Sequence, residues 1–158
     1  IMRALRPLST APEKDLLTIL RRALFAWLIA DGDMHLKNMA LLKIAEPGDA
    51  SFDSVRIAPL YDAVTTRVFP QLQNDHMALK LAGKDDRLKR ADFLKLAATS
   101  GINASATGEA MDALLAGFEK GLNAVSLPSE LQFGDVSIAK AEQMLTLCRD
   151  RLKQFSQD

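Results

Sequence analysis

A chain of 158 residues, 48% of them apolar, is long enough to bury one sizeable core and falls in the single-domain range. Its 20 Lys and Arg balance 20 Asp and Glu, so no excess of either sign advertises nucleic acid or an anionic membrane as a partner. The single cysteine, Cys148, excludes an intrachain disulfide and suits a reducing cytoplasm, and the longest apolar run, 23–30, falls well short of the roughly 20 residues needed to span a bilayer, so a cytoplasmic protein without a membrane segment is expected.

Residues 1–7 carry neither a helical cap nor strand alternation, and a chain opening on Ile1 is expected to be a piece of a longer protein. Thr10 and Glu13 then stand at capping-box spacing with Pro12 in the first turn, which predicts a helix start. Leu16, Leu20, Ala23, Leu24 and Trp27 share one face of that helix, while Ile19, Ala26 and Ile29 fill others; apolar nearly all round, it reads as buried and central, with Trp27 in the core. Asp31-Gly32 is a turn dipeptide and predicts its end, with the glycine taking positive φ. Residues 39–44 and 55–59 read as short strands joined by the turn-rich stretch 46–53, and 77–81 as a third. Three further helices follow: 91–100 stopped by Gly101, one capped by Ser105 or Thr107 and running to about Ser126 with a break at Pro128, and 135–155, whose stripe is Ile138, Ala141, Leu145, Cys148, Leu152 and Phe155. The expected fold class is mainly α, with a small β element beside the polar segment and the later helices packed around the first long one.

That polar segment is Asp31-Gly-Asp-Met-His-Leu-Lys-Asn38, followed by Ile57-Ala-Pro-Leu-Tyr-Asp62. A loop leaving a buried helix and entering a strand is pinned at both ends, so Asp33, His35, Lys37 and Asn38 stand on a stiff platform. Phosphoryl transfer asks for a carboxylate that orients the attacking hydroxyl and for oxygen ligands to magnesium. Asp33 and Asn38 have the D-x-x-x-x-N spacing of a kinase catalytic loop, and Asp62 lies just past the second strand, where kinases place a metal-binding aspartate. Taken singly, an aspartate and an asparagine five apart are more often turn and cap formers. The order of all the elements carries the reading.

Trp27-Leu-Ile-Ala-Asp-Gly-Asp-Met-His-Leu-Lys-Asn38, with Ala58-Pro-Leu-Tyr-Asp62 and Met77-Ala-Leu-Lys-Leu-Ala-Gly-Lys84, resembles the HipA family of toxin–antitoxin kinases over most of residues 1–95. The resemblance implies a kinase C-lobe-like domain. It implies Asp33 as catalytic base, Asn38 and Asp62 as ligands for Mg2+, ATP as phosphate donor and a protein serine or threonine as acceptor. It also implies a helix-turn-helix antitoxin as partner and DNA only through that antitoxin. His35 stands where many kinases carry a lysine that meets the transferred phosphate; either His35 or Lys37 donates to that phosphate, or His35 shapes the loop through a backbone hydrogen bond while Lys37 pairs with an acid.

The roughly thirty residues before Asp33 are consumed by one helix, so no phosphate-clasping loop or strand lysine precedes the motif in this chain, and the chain alone is expected to be inactive. Two other readings compete: a noncatalytic protein-binding module derived from the same lobe, and a metal-dependent hydrolase using Asp33, His35 and Asp62. Retention of Asp33, Asn38 and Asp62 together argues against the first, and the lack of a second histidine in the motif against the other. His76 reads as a lone surface histidine. Lys80, Lys84, Arg87, Lys89 and Arg90, interspersed with Asp85 and Asp86, read as a solvated face.

Overall fold

The computed structural model describes residues 1–126 and 134–157. Pro128, expected to break the chain after the fourth helix, lies outside them. Among the described residues, five α-helices and one hairpin appear in the order α1 (Met2–Leu5), α2 (Pro12–Leu28), β1 (Leu41–Ile44), β2 (Ser54–Ile57), α3 (Arg90–Thr99), α4 (Ala104–Ala124) and α5 (Asp135–Ser156).

The centre of the molecule is α2. Leu16, Leu20, Leu24 and Leu28 recur every fourth residue and none exposes any surface, while Ile19, Ala23, Ala26 and Trp27 widen the buried face. Full burial of one such leucine is worth about 1.5–3 kcal/mol, so this stripe supplies much of the domain's cohesion. Around it pack α1, α3, α4 and α5. Phe155 of α5 sits against Trp27, ring centroids 5.6 Å apart, and against Phe93 of α3 at 5.5 Å.

The expected capping box does not form. Ala11 is the N-cap of α2, and Glu13 pairs with Arg6 at 2.6 Å. Thr10 instead accepts from the N–H of Val55 and donates to its carbonyl, both at 3.1 Å, so its hydroxyl serves the hairpin and not the helix. One turn into α2, the fully buried Asp15 makes the second tie: Oδ1 accepts from Arg56 Nε at 3.0 Å and Nη2 at 2.9 Å, and Oδ2 from Ser9 Oγ at 2.6 Å and Ile57 N–H at 3.1 Å. The antiparallel hairpin, in register from Leu41↔Ile57 to Ile44↔Ser54, is thereby bolted to the first turns of the helix.

The third strand expected at 77–81 is absent. Leu81 and Lys84 form a single bridge around Ala82 (φ 52°) and Gly83 (φ 92°), and Met77 N–H bonds to Asp85 C=O; the backbone is satisfied by folding on itself. Helix α4 is capped by Asn103, whose Oδ1 accepts from Ser105 and Ala106 N–H, and not by Ser105 or Thr107. Thr107 turns inward and donates to Asn103 C=O. Gly101 takes φ 72° after α3, as the sequence predicts.

Candidate active site

The loop begins where α2 ends, and the ending is a Schellman turn: Asp31 N–H bonds to Ala26 C=O at 2.8 Å and Ala30 N–H to Trp27 C=O at 3.1 Å. The left-handed residue is Ala30 (φ 56°), not Gly32, which corrects the sequence expectation. Gly32 is required for another reason. A Cβ there would fall 2.0 Å from Asp75 Oδ2 and 2.8 Å from Thr66 Oγ1, so any larger residue would have to push both side chains aside. Thr66 completes the clamp: its N–H and hydroxyl both donate to Ala30 C=O, and its Oγ1 accepts from Gly32 N–H.

Asp31, only 3% exposed, organises the first turn of the loop. Its Oδ1 accepts from Asp33 N–H at 2.9 Å, an Asx turn, and the Val64 N–H also faces its carboxylate. Burial pushes its pKa above the usual 3.8, the charges of Asp33 and Asp62 push the same way, and the two backbone donors only partly offset them. Two carboxylates from separate segments therefore act on a third one buried between them.

Asn38, buried in a short 3₁₀ turn (Leu36–Asn38), donates through Nδ2 to Asp33 C=O at 2.9 Å, so the loop closes on itself across the spacing read from the sequence. The segment after β2 is tied to the loop by Tyr61, whose hydroxyl donates to Lys37 C=O at 3.0 Å, and to α2 by Arg22, which donates to Ala58 C=O. Asp62 follows in a left-handed conformation, φ 53°. A narrow cleft of about 10 Å³, room for one water-sized species, is lined by Asp31, Asn38 and Asp62 together with Arg22, Tyr61 and Met34.

Asp33 is not part of that lining. Its side chain is 52% exposed beside the cleft, with Oδ1 3.6 Å from His35 Nε2. The other ring nitrogen of His35 is buried without a hydrogen-bond partner among the described residues, so the backbone hydrogen bond considered for it is not formed. Lys37 lies exposed, with no acid within ion-pair distance among the described residues. The structure thus brings Asn38 and Asp62 together, sets Asp33 and His35 next to them, and leaves Lys37 on the outer face. Asp31 and Arg22 were missed as site residues: the first reads as a turn former, and nothing in the sequence singles out the second. Among the described residues no three His, Cys, Asp or Glu side chains converge as a ready-made metal cage.

The remaining sequence candidates are surface features. His76 is half exposed, with Nδ1 3.4 Å from Asp85, and the nearby cations pair as Lys80–Asp85, Lys84–Asp92 and Arg90–Asp112.

Fold and site together define a class: a mostly helical domain in which a loop leaving a buried helix and a segment leaving a short hairpin present carboxylates and an amide to one cleft. Residues 1–122 match the HipA-like C-terminal domain, and the chain belongs to that family. It is similar in fold to a chain of the HipA, HipB and operator DNA complex of the Shewanella oneidensis MR-1 toxin–antitoxin system, with a TM-score of 0.71 and 13% identity over 98% of its residues. The chain spans 34% of the length of that protein. No curated protein matches the sequence significantly. Among the described residues, no helix is long and apolar enough to cross a membrane.

Proposed function

We propose that this chain is the C-terminal catalytic lobe of a HipA-like protein serine/threonine kinase, the toxin of a toxin–antitoxin pair, with a kinase C-lobe-like fold. The supporting observation is the convergence of Asp31, Asn38 and Asp62 on one narrow cleft, with Asp33 on the adjoining loop. In this reading Asp33, exposed at the rim, orients the acceptor hydroxyl and takes its proton as the γ-phosphate of ATP is transferred.

Asn38 and Asp62 would hold Mg2+, and the residues fit that ion. The donors are hard oxygens, the Asn38 amide spends its N–H₂ on Asp33 C=O and keeps its oxygen for a ligand, and the buried Asp31 adds charge that a cation relieves. A small number of protein ligands also suits magnesium, which keeps waters and shares substrate phosphates. When bound, the ion neutralises charge on the phosphate oxygens. His35, beside Asp33, and Lys37, exposed on the outer face, are the groups that can donate to the transferred phosphate. The nucleotide-clasping half belongs to the remainder of the longer protein, and a helix-turn-helix antitoxin, with DNA through it, is the partner.

Radiolabelled phosphate transfer by the full-length protein tests this. Asp33→Asn preserves shape and removes the proton acceptor, so transfer falls on the order of 10²–10⁴-fold with the fold intact. Asp62→Asn is comparably damaging and is partly restored by raised magnesium, whereas Asp33→Asn is not. Undiminished transfer in Asp33→Asn removes the base from Asp33; a full-length protein that folds and binds an antitoxin but transfers no phosphate is the noncatalytic module instead.

A further inference from the structure

Helix α5 lies beyond residue 122, where the family match ends, yet it reaches the origin of the loop. Its Arg151 is 6% exposed. Nη1 donates to Trp27 C=O, the same carbonyl that accepts Ala30 N–H in the Schellman turn. The guanidinium lies over the Trp27 ring, 5.0 Å from its centroid, and Nη2 is 4.0 Å from Asp86 Oδ1.

Burying a guanidinium is costly, and among the described residues this one meets one carbonyl, one ring face and one distant carboxylate. A well-packed apolar side chain would fill the same space without the desolvation cost, so packing alone gives no reason for a charge at this place. What the arginine adds is direction. Trp27 C=O is held from behind by Arg151, while Ala30 C=O is held from the front by Thr66, so the two peptide groups that set the exit angle of α2 are fixed from both sides. Without one of these holds, Ala30 gains by leaving the left-handed conformation, which costs a non-glycine residue about 1–2 kcal/mol. Relaxation to right-handed backbone would extend α2 and swing Asp33 away from Asn38 and Asp62.

We propose that Arg151 is a positioning residue, which by holding Trp27 C=O sets the direction in which residues 31–38 leave α2; its consequence for phosphate transfer rests on the kinase reading above. The test compares the full-length protein with Arg151→Met and Arg151→Lys by hydrogen exchange and by steady-state transfer. In Arg151→Met, amides of residues 30–38 exchange about tenfold faster or more while those of α3 and α4 hold their rates. The kcat falls on the order of 10²-fold with the KM for ATP unchanged, and Arg151→Lys, which keeps a charged donor, recovers most of both effects. Exchange that rises as much in α3 and α4 as in residues 30–38, or a kcat that does not move, overturns the proposal. If the unmodified protein transfers no phosphate, the kinase reading fails, and exchange at residues 30–38 still decides the role of Arg151. Should Arg151→Met fail to fold, Arg151→Gln against Arg151→Lys supplies the same contrast.

Discussion

Two buried aspartates bracket α2, and their surroundings are opposite. Asp15, at the start of the helix, accepts from Arg56, Ser9 and Ile57 N–H; burial pushes its pKa up, but these hydrogen bonds and the Arg56 charge outweigh it and hold the carboxyl below its usual 3.8. Asp31, just past the end of the helix, has two backbone donors and two further carboxylates nearby, no cation is paired with it among the described residues, and its pKa lies above 3.8. The same side chain, equally hidden, thus joins a hairpin to a helix at one end and carries a charge without a paired cation among the described residues at the other. A satisfied buried charge marks architecture, and an uncompensated one is a candidate for a functional site.

The comparison breaks first at its structural end. Asp15→Ala strips three partners of their acceptor and leaves Ile57 N–H unpaired, and a loss of about 3 kcal/mol in urea unfolding is expected, moderated because Arg56 can return to solvent. At the other end of the helix, Gly32→Ala forces Asp75 and Thr66 off the loop; overpacking of this kind costs about 1–3 kcal/mol and should show as lost exchange protection in residues 31–38.

Asp31→Asn produces the smallest change and sharpens the contrast most. It keeps an acceptor for Asp33 N–H while removing a charge that is paired with no cation among the described residues, so stability at neutral pH rises, by less than about 1 kcal/mol. The pH profiles have opposite signs. Because the folded pKa of Asp31 is raised, the folded state binds its proton more tightly, and its contribution falls as pH rises from 3.8; the gap between Asp31→Asn and the unmodified chain should therefore open above 3.8. Because that of Asp15 is lowered, its contribution is present above 3.8 and is lost as pH falls below it, and Asp15→Asn should flatten that acid limb. Equilibrium unfolding at a series of pH values checks both, and a gap that closes above 3.8 would contradict the description of Asp31.

The parts of the fold legible in the sequence are those set by local pattern. The stripe of Leu16, Leu20, Ala23, Leu24 and Trp27, with Ile19 and Ala26 on other faces, identified α2 as central, and Gly101 marked the end of α3. The parts that were not are set by contacts distant in sequence. Thr10 has the spacing of a cap, but the Val55 backbone claims its hydroxyl, and Gly32 looks like a turn glycine until Asp75 arrives beside it. In the site, the spacing of Asp33 and Asn38 coincides with a loop that closes by a hydrogen bond from the Asn38 amide to the Asp33 backbone carbonyl. Asp31 was hidden by its neighbour: Asp-Gly reads as a turn, and only burial beside Asp62 and Val64 gives it another meaning. Arg22 carried no such signal, since Arg21 stands beside it and only the Ala58 carbonyl, distant in sequence, gives it a place at the site. The separate third strand was over-read from a short apolar alternation whose backbone turns back within four residues.

The lone thiol carries a practical consequence. Cys148 is 2% exposed on α5, among residues of α2 and α4, and burial pushes it up to about 11. Since only the thiolate reacts, the folded chain should ignore alkylating reagents at neutral pH, and each labelling event will record a moment when α5 has lifted from its neighbours. The rate of that modification is a built-in clock for the opening of the same helix that carries Arg151, and it can be read by mass without any change to the sequence.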